Sequence, residues 1–519
     1  MQVVSDTELV IGIVGRMGVN TSEVVSWLTE VLHGVRYDAK TVKITEYLKS
    51  KEFDAIELGG KKFDAIKLDE KTIEGRYESY ISACNRIREI SESNDFFASY
   101  AIQTIIQLRE SISGSPDKQA KRTAFIVDQL KRPEEVEALR SVYGQQFILV
   151  SCHMPMDRRQ DTLARKIAEG HASAPKSKEW QHKASELIRR DEKESSLKYG
   201  QRVSDVFPLA DLIIDTSDRK QATDHLERFF GALFGNFFVS PTKSEFAQNI
   251  AFNVALTSCD TARQVGAVIT KNGEILSTGF NEAPRPGGGT YWSGEATDGR
   301  DLALGKDVNT VRKRQMVTDI VKLLRDNKML ANNEVKDHDL EDHFLDSADA
   351  PLKKSQIMDT LEYGRAVHAE MAALSSASRQ GLATQDGVLH CTTFPCHNCS
   401  KHIVASGIRE VYYLEPYGKS FADELYPDSI SIDSSEPRCG SVIFRQFIGI
   451  TPNRFSQIFS KEKLKDHRGI VKKWDKATCQ PVFGEIGQSH IDREVIFQKA
   501  MRNSFDEEKA KYLGLVQSK

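Results

Sequence analysis

Two short stretches carry most of the chemical information in this chain. The first, Ala366–Leu374, has the sequence A-V-H-A-E-M-A-A-L, and the second, Thr392–Ser400, has the sequence T-T-F-P-C-H-N-C-S. Together they offer one imidazole, from His368, and two thiols, from Cys396 and Cys399. One histidine and two cysteines are the ligand set of a zinc ion that keeps its fourth position open for chemistry. The pattern therefore predicts a catalytic zinc site.

The spacing of these residues supports the same prediction. If Pro395 opens a helix, Cys396 and Cys399 project from one face of its first turn and can bind one metal ion. The exposed N–H groups at that end of a helix also favour thiolate over thiol. Glu370 lies two residues after His368, so it is free of the metal and is the natural proton carrier.

A His-x-Glu followed by Pro-Cys-x-x-Cys is the signature of zinc deaminases that act on nucleobases and nucleotides. Here 24 residues separate Glu370 from Pro395, which is room for the rest of one helix, a turn and one strand. The alternative is a structural zinc clip, but such sites usually have four protein ligands. His397 and His402 are the nearest further candidates, and neither is well placed as a fourth ligand.

Length and composition narrow the remaining possibilities. A chain of 519 residues is too long for one core, so we expect two or three domains. Charged residues make up 28% of the chain and the net charge is −3, which gives no sign of a generally nucleic-acid-binding surface. No apolar run approaches the roughly 18 residues of a membrane span, and the N-terminus lacks the basic region of a leader peptide. Eight scattered cysteines fit a reducing compartment, so we expect a cytoplasmic protein.

An apolar run ending at Val14, a glycine-containing loop and an amphipathic stretch over Glu23–Leu32 open the chain. Strand, loop and helix in this order are the context of a phosphate-binding loop. The loop, G-R-M-G-V-N-T-S over residues 15–22, departs from G-x-x-x-x-G-K-[ST], which would need glycine at Asn20 and lysine at Thr21. Without that lysine much phosphate charge would go unbalanced, although loop N–H groups could still hold an anion.

Three interpretations of this loop stay open. A degenerate nucleotide-binding loop is favoured over a purely structural turn, and an active kinase is the least favoured. The residues that would bind the nucleotide are Gly15, Arg16, Gly18, Asn20, Thr21 and Ser22.

Strands and helices continue to alternate after the loop. Thr123–Val127 and Phe147–Val150 are apolar strands, and the helix between them starts with Pro133 and ends at Gly144. This alternation predicts a parallel sheet of the P-loop kinase type. Asp128 would lie near the loop and orient a metal or a sugar hydroxyl, or would simply cap a turn. The charged stretch over residues 157–202 is either a phosphate-clamping lid or a set of solvated helices.

A change in composition near residue 240 marks a second domain, so we expect domains over residues 1–238 and 239–519. Val265–Thr270 and Ile275–Phe280 are apolar strands joined through Asn272-Gly273, which is a strong hairpin signal. With the two ligand-bearing helices and the strands after them, this hairpin predicts an α/β/α sandwich. The expected fold class is therefore α/β in both domains.

The stretches V-G-A-V-I-T-K-N-G-E-I-L-S-T-G-F-N-E-A-P, H-A-E and T-T-F-P-C-H-N-C resemble the deoxycytidylate deaminases, which are cytidine-deaminase-like enzymes of free nucleotides. Over nearly its whole length the chain resembles the two-domain bacterial anti-phage deoxycytidine nucleotide deaminases, which carry a degenerate P-loop kinase-like domain in front. The zinc motif is highly specific for deamination, whereas other matching stretches, such as A-F-I-V-D-Q-L-K-R-P-E-E-V, are suggestive only.

The resemblance implies hydrolytic deamination of dCTP or dCMP to the deoxyuridine nucleotide, which would drain the deoxycytidine pool that an infecting phage needs. It implies zinc as the cofactor, bound by His368, Cys396 and Cys399, with Glu370 as the proton shuttle. It further implies contacts to the substrate from Asn281, Arg263, Ala369, Tyr417 and Lys419, of which Asn281 would bond the nucleotide sugar. The alternative for these positions is an ordinary turn or surface role.

The resemblance also implies a homo-oligomer, with a hexamer as the leading form, and a regulatory nucleotide or small inhibitory RNA at the N-terminal domain. Two other classes of function stay open. A polynucleotide deaminase would share the zinc motif but would be expected to be basic, whereas the isoelectric point here is about 6.5. The other class is a nucleotide-sensing scaffold with a vestigial deaminase domain, which the intact zinc motif argues against.

Overall fold

The computed structural model describes residues 6–50, 52–58, 60–172, 178–192, 194, 197–330, 336, 339–347, 350–353, 355–418, 420–483 and 489–514. The chain divides into two compact units. Unit 1 comprises Met1–Glu245, Asp433–Glu436 and Gln446–Lys519, and unit 2 comprises Phe246–Ile432 and Pro437–Arg445. This division differs from the expected domains, 1–238 and 239–519, because the C-terminal segment packs with the N-terminal part of the chain.

The first part of unit 1 alternates strands and helices. Its strands are β1 (Leu9–Gly15), β2 (Asp38–Lys43), β3 (Ile56–Leu58), β4 (Lys61–Phe63), β5 (Thr123–Asp128), β6 (Phe147–His153) and β7 (Leu212–Asp215). Its helices are α1 (Thr21–Gly34), α2 (Glu46–Lys49), α3 (Ile73–Ser91), α4 (Phe96–Ser113), α5 (Pro133–Tyr143), α6 (Met156–Gly170), α7 (Lys178–Glu192), α8 (Val203–Val206) and α9 (Arg219–Leu233). The next helix, α10 (Lys243–Ala255), includes the point in sequence where unit 2 begins.

The elements after α10 belong mainly to unit 2, and the last ones to unit 1. The further strands are β8 (Gly266–Lys271), β9 (Glu274–Phe280), β10 (Val388–Thr393), β11 (Glu410–Glu415), β12 (Ile430–Ile432), β13 (Val442–Gln446) and β14 (Gly449–Ile450). The further helices are α11 (Asp301–Leu304), α12 (Val308–Asp326), α13 (Ala369–Arg379), α14 (His397–Ala405), α15 (Ala422–Leu425), α16 (Phe455–Phe459), α17 (His490–Asn503) and α18 (Glu507–Tyr512).

A six-stranded sheet with the order β14-β7-β6-β1-β5-β2 forms the centre of unit 1. Strand β1 is buried along its whole length and pairs in parallel with both β5 and β6. The pairs β2–β5 and β6–β7 are also parallel. The predicted parallel sheet is therefore confirmed, as is the helix that begins at Pro133 and ends before Gly144.

The C-terminal segment joins unit 1 through a strand and a buried ionic cluster. Strand β14 pairs antiparallel with β7. Arg109 of α4 is completely buried, and its Nη2 donates to Glu8 at 2.6 Å and to Glu494 of α17 at 2.6 Å. The imidazole of His490 contacts the Glu8 carboxylate at 2.7 Å. A buried arginine is stable here because both carboxylates accept its hydrogen bonds.

The sheet of unit 2 has the order β12-β13-β11-β10-β8-β9. Strands β10 and β11 are parallel, whereas β8 pairs antiparallel with both β10 and β9. The predicted hairpin is confirmed: Asn272 and Gly273 join β8 to β9 with φ angles of 54° and 83°. Positive φ at both central residues is the geometry of a tight hairpin turn. In the described part of the chain, no helix combines the length and apolar character that crossing a membrane would require.

Candidate active site

Three side chains from two helix N-termini of unit 2 form the candidate metal site. His368 is the N-cap of α13, and Cys396 is the N-cap of α14. The helix carrying the cysteines thus begins at His397, two residues later than Pro395, because Cys396 still has an extended backbone with φ −67° and ψ 163°. Cys399 lies in the first turn and is 1% exposed.

Strand β9 holds α13 close to the sheet. Gly279 of β9 faces the backbone of α13, and an added Cβ at this position would overlap Ala369 O and Ala373 N. Any larger residue would therefore push away the helix that carries His368 and Glu370. A glycine in a strand often marks such a close approach of another backbone.

The ligand atoms are spaced as one metal ion requires. His368 Nδ1 lies 3.3 Å from Cys396 Sγ and 3.4 Å from Cys399 Sγ, and all three atoms lie within 4.8 Å of one another. Zn–S bonds of about 2.3 Å and a Zn–N bond of about 2.0–2.1 Å at tetrahedral angles separate sulfur from nitrogen by about 3.5 Å. The three residues therefore fit zinc without a change of backbone. The predicted ligand set comes together as one cluster.

One ligand of the cluster, Cys396, is already in a form that suits a cation. The hydrogen bond from Cys399 and the nearby imidazole of His368 lower the pKa of Cys396 to about 4. Its thiolate form is therefore favoured at neutral pH, and thiolate is the form that binds metal.

Glu370 lies on the first turn of α13, beside the cluster. Its side chain is 4% exposed, and Oε2 accepts a hydrogen bond from the Cys399 thiol at 3.6 Å. Burial raises the pKa of the Glu370 carboxyl above its usual value. A raised pKa makes a carboxyl a better proton acceptor, which suits general acid–base catalysis. The position and the environment of Glu370 both suit the predicted proton carrier.

A cavity of about 380 Å³ opens onto this cluster. Its size lies in the range of small-molecule sites. Asn281 and Ala369 line it together with His368 and Glu370. The side chain of Asn281 is engaged with the main chain: Oδ1 accepts from Val265 N at 2.7 Å, and Nδ2 donates to Arg263 O at 2.7 Å. Asn281 therefore fixes the segment that enters β8, in addition to any contact with a ligand.

Two further predicted residues lie at the exposed side of the cavity. Arg263 and Tyr417 both line it, and the guanidinium of Arg263 lies 5.9 Å from the centre of the Tyr417 ring. Arg263 is 49% exposed, with Glu415 at 3.6 Å. An exposed cation with only a 3.6 Å ion pair suits the recognition of an anionic group. Lys419, the remaining predicted residue, lies outside the described residues.

The cavity also contains polar groups that the sequence analysis did not single out. Arg365 lines it, with Nη1 2.5 Å from Asp301 and Nη2 2.9 Å from Gly299 O. Asp307 and Asn309 line it as well. Arg365 could have been noticed because it lies three residues before His368, but its partners come from the long segment between β9 and α13, whose path the sequence does not reveal.

The residues of the N-terminal loop lie around a separate cavity inside unit 1. Arg16, Gly18, Asn20, Thr21 and Ser22 line it, whereas Gly15 contributes its carbonyl, which accepts from Lys131 Nζ at 3.1 Å. Asp128 also lines this cavity. The expectation that this aspartate lies near the loop is therefore confirmed.

Comparison with known proteins identifies the region that contains the three candidate metal ligands. Residues 241–415 match the family model of the cytidine and deoxycytidylate deaminase zinc-binding region. The matched region is the zinc-binding region of that family, and the group His368, Cys396 and Cys399 fits zinc binding.

Individual relatives match about a third of the chain or less. It is 29% identical to the deoxycytidylate deaminase of Enterobacteria phage T2 over 178 residues, which are 34% of this chain and 82% of that protein. The deoxycytidylate deaminase of Enterobacteria phage T4 is 28% identical over 34% of this chain and 80% of its own length. The ComE operon protein 2 of Bacillus subtilis (strain 168) is 40% identical, over 12% of this chain and 33% of its own. These matches indicate a deaminase.

Solved structures give weaker matches. The dCMP deaminase from the cyanophage S-TIM5 in its apo form is 18% identical, with 40% of this chain and 98% of that chain covered and a TM-score of 0.21. A diaminohydroxyphosphoribosylaminopyrimidine deaminase/5-amino-6-(5-phosphoribosylamino)uracil reductase from Thermotoga maritima is 16% identical, with 44% and 49% covered and a TM-score of 0.20. TM-scores of this size carry no further argument.

Proposed function

We propose that unit 2 hydrolytically deaminates free deoxycytidine nucleotides, dCMP or dCTP, to the corresponding deoxyuridine nucleotides. The observation that carries the proposal is a buried carboxylate, Glu370, next to a three-residue zinc site at the base of a nucleotide-sized cavity. Similarity to the phage deoxycytidylate deaminases supports the choice of substrate class.

The chemistry divides between the metal and the protein. His368, Cys396 and Cys399 would hold the zinc ion, which would supply Lewis acidity at this site. Glu370 takes a proton from the attacking water and delivers it to N3 of the cytosine as the new C4–O bond forms. A second proton, carried by the same carboxyl, goes to the amino group, which leaves as ammonia when the C4–N bond breaks. Water and the cytosine nucleotide thus give the uracil nucleotide and ammonia.

Other residues of the cavity bind and orient the substrate. The exposed guanidinium of Arg263 is suited to the phosphate, and Asn281 holds the backbone around it in place. Ala369 is fully buried beside the zinc ligand His368 and offers a small apolar surface to the base. The side chain of Tyr417 lies next to Arg263 and supports its position.

A substrate panel tests this proposal. Zinc-loaded protein is incubated with dCMP, dCTP, CTP and a cytosine-containing single strand, and the products are separated by chromatography. We expect uracil product from dCMP or dCTP and none from the strand. Glu370→Gln should abolish product, and Glu274→Gln, an exposed carboxylate at the start of β9, is the matched control. Product from the strand alone would replace this proposal with a polynucleotide deaminase.

We also propose the setting in which this reaction acts. Depletion of deoxycytidine nucleotides in the cytoplasm would deprive an infecting phage of a DNA precursor, and such a reaction needs a regulator, either a nucleotide or a small inhibitory RNA. The resemblance described above supports this setting and a homo-oligomeric, hexameric assembly. Nucleotide pools measured in phage-infected bacteria with the wild type and Glu370→Gln test the first point. Light scattering of the purified protein tests the second, and a monomer would contradict it.

A further inference from the structure

The loop between β1 and α1 borders a cavity that the proposed deamination does not use. This cavity lies within unit 1 and has a volume of about 370 Å³, which is in the range of small-ligand sites. Besides the loop, its lining includes one side of α3 and residues next to the ends of β2 and β5.

The lining is basic, although the whole chain carries a net charge of −3. Six lining residues are basic and two are acidic, so positive charge prevails: the basic ones are Arg16, Lys43, Arg76, Arg88, Lys131 and Lys166, and the acidic ones are Asp128 and Asp191. Arg88 pairs with Glu135, and Lys131 pairs with Asp191. For the other four, no ion pair with a described residue is found. A concave surface with unpaired positive charge attracts an anion.

Buried polar atoms in the lining lack partners. Arg16, Arg88 and Gln201 are 6%, 2% and 4% exposed. Within the described part of the chain, Arg16 Nε, Arg88 Nε and Gln201 Oε1 have no hydrogen-bond partner. A buried polar group without a partner is unfavourable unless a ligand or water completes it. These atoms are a second sign, independent of the overall charge, that the cavity takes a polar ligand.

The loop already holds one carboxylate. Asp191 of α7 is 1% exposed, and its Oδ2 accepts a hydrogen bond from Met17 N of the loop at 2.9 Å. Its Oδ1 accepts from Lys131 Nζ at 2.7 Å. A loop N–H and a lysine are the groups that hold phosphates at the start of a helix. Asp191 therefore occupies two donors, Met17 N and Lys131 Nζ, that a longer chain of phosphates would need.

The opposite wall can accept a flat ring. Tyr77 and Tyr80 lie one turn apart on α3 and line the cavity with Ile81 and Cys84. Aromatic side chains with apolar neighbours stack on nucleobases without selecting one base strongly. The basic loop, the N-terminus of α1 without a side-chain cap, and the aromatic wall together match a ligand with one phosphate and one ring.

We propose that the cavity of unit 1 binds a nucleoside monophosphate, with the phosphate at the N-terminus of α1 and the base against Tyr77 and Tyr80. Polyphosphates bind less well because Asp191 already occupies Met17 N and Lys131. Phosphoryl transfer is not part of the proposal, since Thr21 stands where a transferring loop has lysine and its hydroxyl accepts from Gln129 at 3.1 Å. The proposal is independent of the reaction in unit 2.

Calorimetric titration of the full chain tests this site. The probes are inorganic phosphate, AMP and dTMP, with ATP and dTTP for comparison; none contains cytosine, the base proposed for the zinc site. We expect one site per chain that binds the monophosphates at least about tenfold more tightly than inorganic phosphate or the triphosphates. Failure of both monophosphates to bind, or tighter binding of the triphosphates, would overturn the proposal.

Two variants and a mapping experiment locate the site. Arg16→Met should weaken monophosphate binding at least about tenfold, whereas Arg36→Met, an exposed arginine outside the cavity, should leave it unchanged. Asp191→Asn keeps an oxygen for Met17 N but removes the charge, so the affinity gap between mono- and triphosphates should narrow. An unchanged gap would refute the role given to Asp191. Hydrogen exchange should show protection over residues 15–22 and 73–84; protection over 366–400 instead would place the ligand at the zinc site and contradict the proposal.

Discussion

The two units contain cavities of nearly equal size, about 380 Å³ at the zinc site and about 370 Å³ at the N-terminal loop, but their chemistry differs. Both use the N-terminus of a helix. In unit 2 the helix ends carry an imidazole, two thiols and, in the first turn, a buried carboxylate. In unit 1 the corresponding place has a threonine, Thr21, and a neighbouring carboxylate, Asp191, that occupies the loop. Cavities of similar volume thus contain groups suited to proton transfer in unit 2 and to anion binding in unit 1.

The largest effect expected is the loss of proton transfer in unit 2. Glu370→Gln keeps the size and burial of the side chain but cannot shuttle a proton, so turnover should fall by about 10²–10⁴-fold or more. Zinc content should stay at one per chain, because the carboxylate is not part of the ligand set. The measurement is deoxyuridine nucleotide formation together with metal analysis. Normal turnover at full zinc content would contradict the role of Glu370.

Loss of the metal should affect the zinc site of unit 2 but not the cavity of unit 1. Cys399→Ser replaces a buried thiolate ligand by a hydroxyl, and we expect zinc content and deamination to fall together. Binding of AMP in unit 1 should be unaffected, because its cavity contains none of the zinc ligands. Metal analysis, product chromatography and titration on one preparation measure all three quantities. Deamination that persists in zinc-free protein would contradict the proposal that the reaction in unit 2 requires zinc.

The C-terminal segment offers a stability test of unit 1. Arg109→Met leaves Glu8 and Glu494 buried without their common partner, so unfolding of unit 1 should become easier by about 3–5 kcal/mol. Arg468→Met, whose side chain is 69% exposed, is the control and should change little. Urea titration followed by circular dichroism gives the free energy. Equal stability of the two variants would contradict the stabilising role of the Arg109 ion pairs with Glu8 and Glu494.

We expect a smaller effect on the free energy of unfolding when the pH is lowered. Burial alone would raise the pKa of Glu8, but hydrogen bonds from His490 and Arg109 outweigh burial and hold this pKa below its usual value. A carboxyl whose pKa is lowered by folding stabilises the folded state above its unfolded pKa of about 4.3 and loses this contribution as the pH falls further. The free energy of unfolding should therefore decline below about pH 5. Glu8→Gln should show a shallower decline, and an identical pH profile would rule out this contribution.

Local sequence patterns were sufficient to predict features that depend on residues close together in the sequence. The pair Asn272-Gly273 fixes a hairpin through its own φ angles, and Cys396 and Cys399 lie close together because one helix turn separates them. His368 could be joined to them because the signature has a defined order. These predictions required no knowledge of the overall packing.

Other features depend on contacts that sequence patterns do not encode. Glu8 and Glu494 are 486 positions apart, yet both bind Arg109, and charged residues of this kind would be assigned to the surface from sequence alone. For the same reason the tail was placed with the wrong unit, and Asp191 was seen as part of a charged lid or solvated helix. Asn281 was predicted to contact the sugar, but the structure also shows it bonded to the backbone near β8.

The most direct test of the central claim is deamination in water enriched in ¹⁸O, with zinc-loaded protein and dCMP or dCTP. The account predicts a deoxyuridine nucleotide with one ¹⁸O at C4 and one ammonia released per product. It also predicts no such product with Glu370→Gln. A uracil product without ¹⁸O, or no product from either nucleotide with fully zinc-loaded wild-type protein, would contradict hydrolytic deamination at this site.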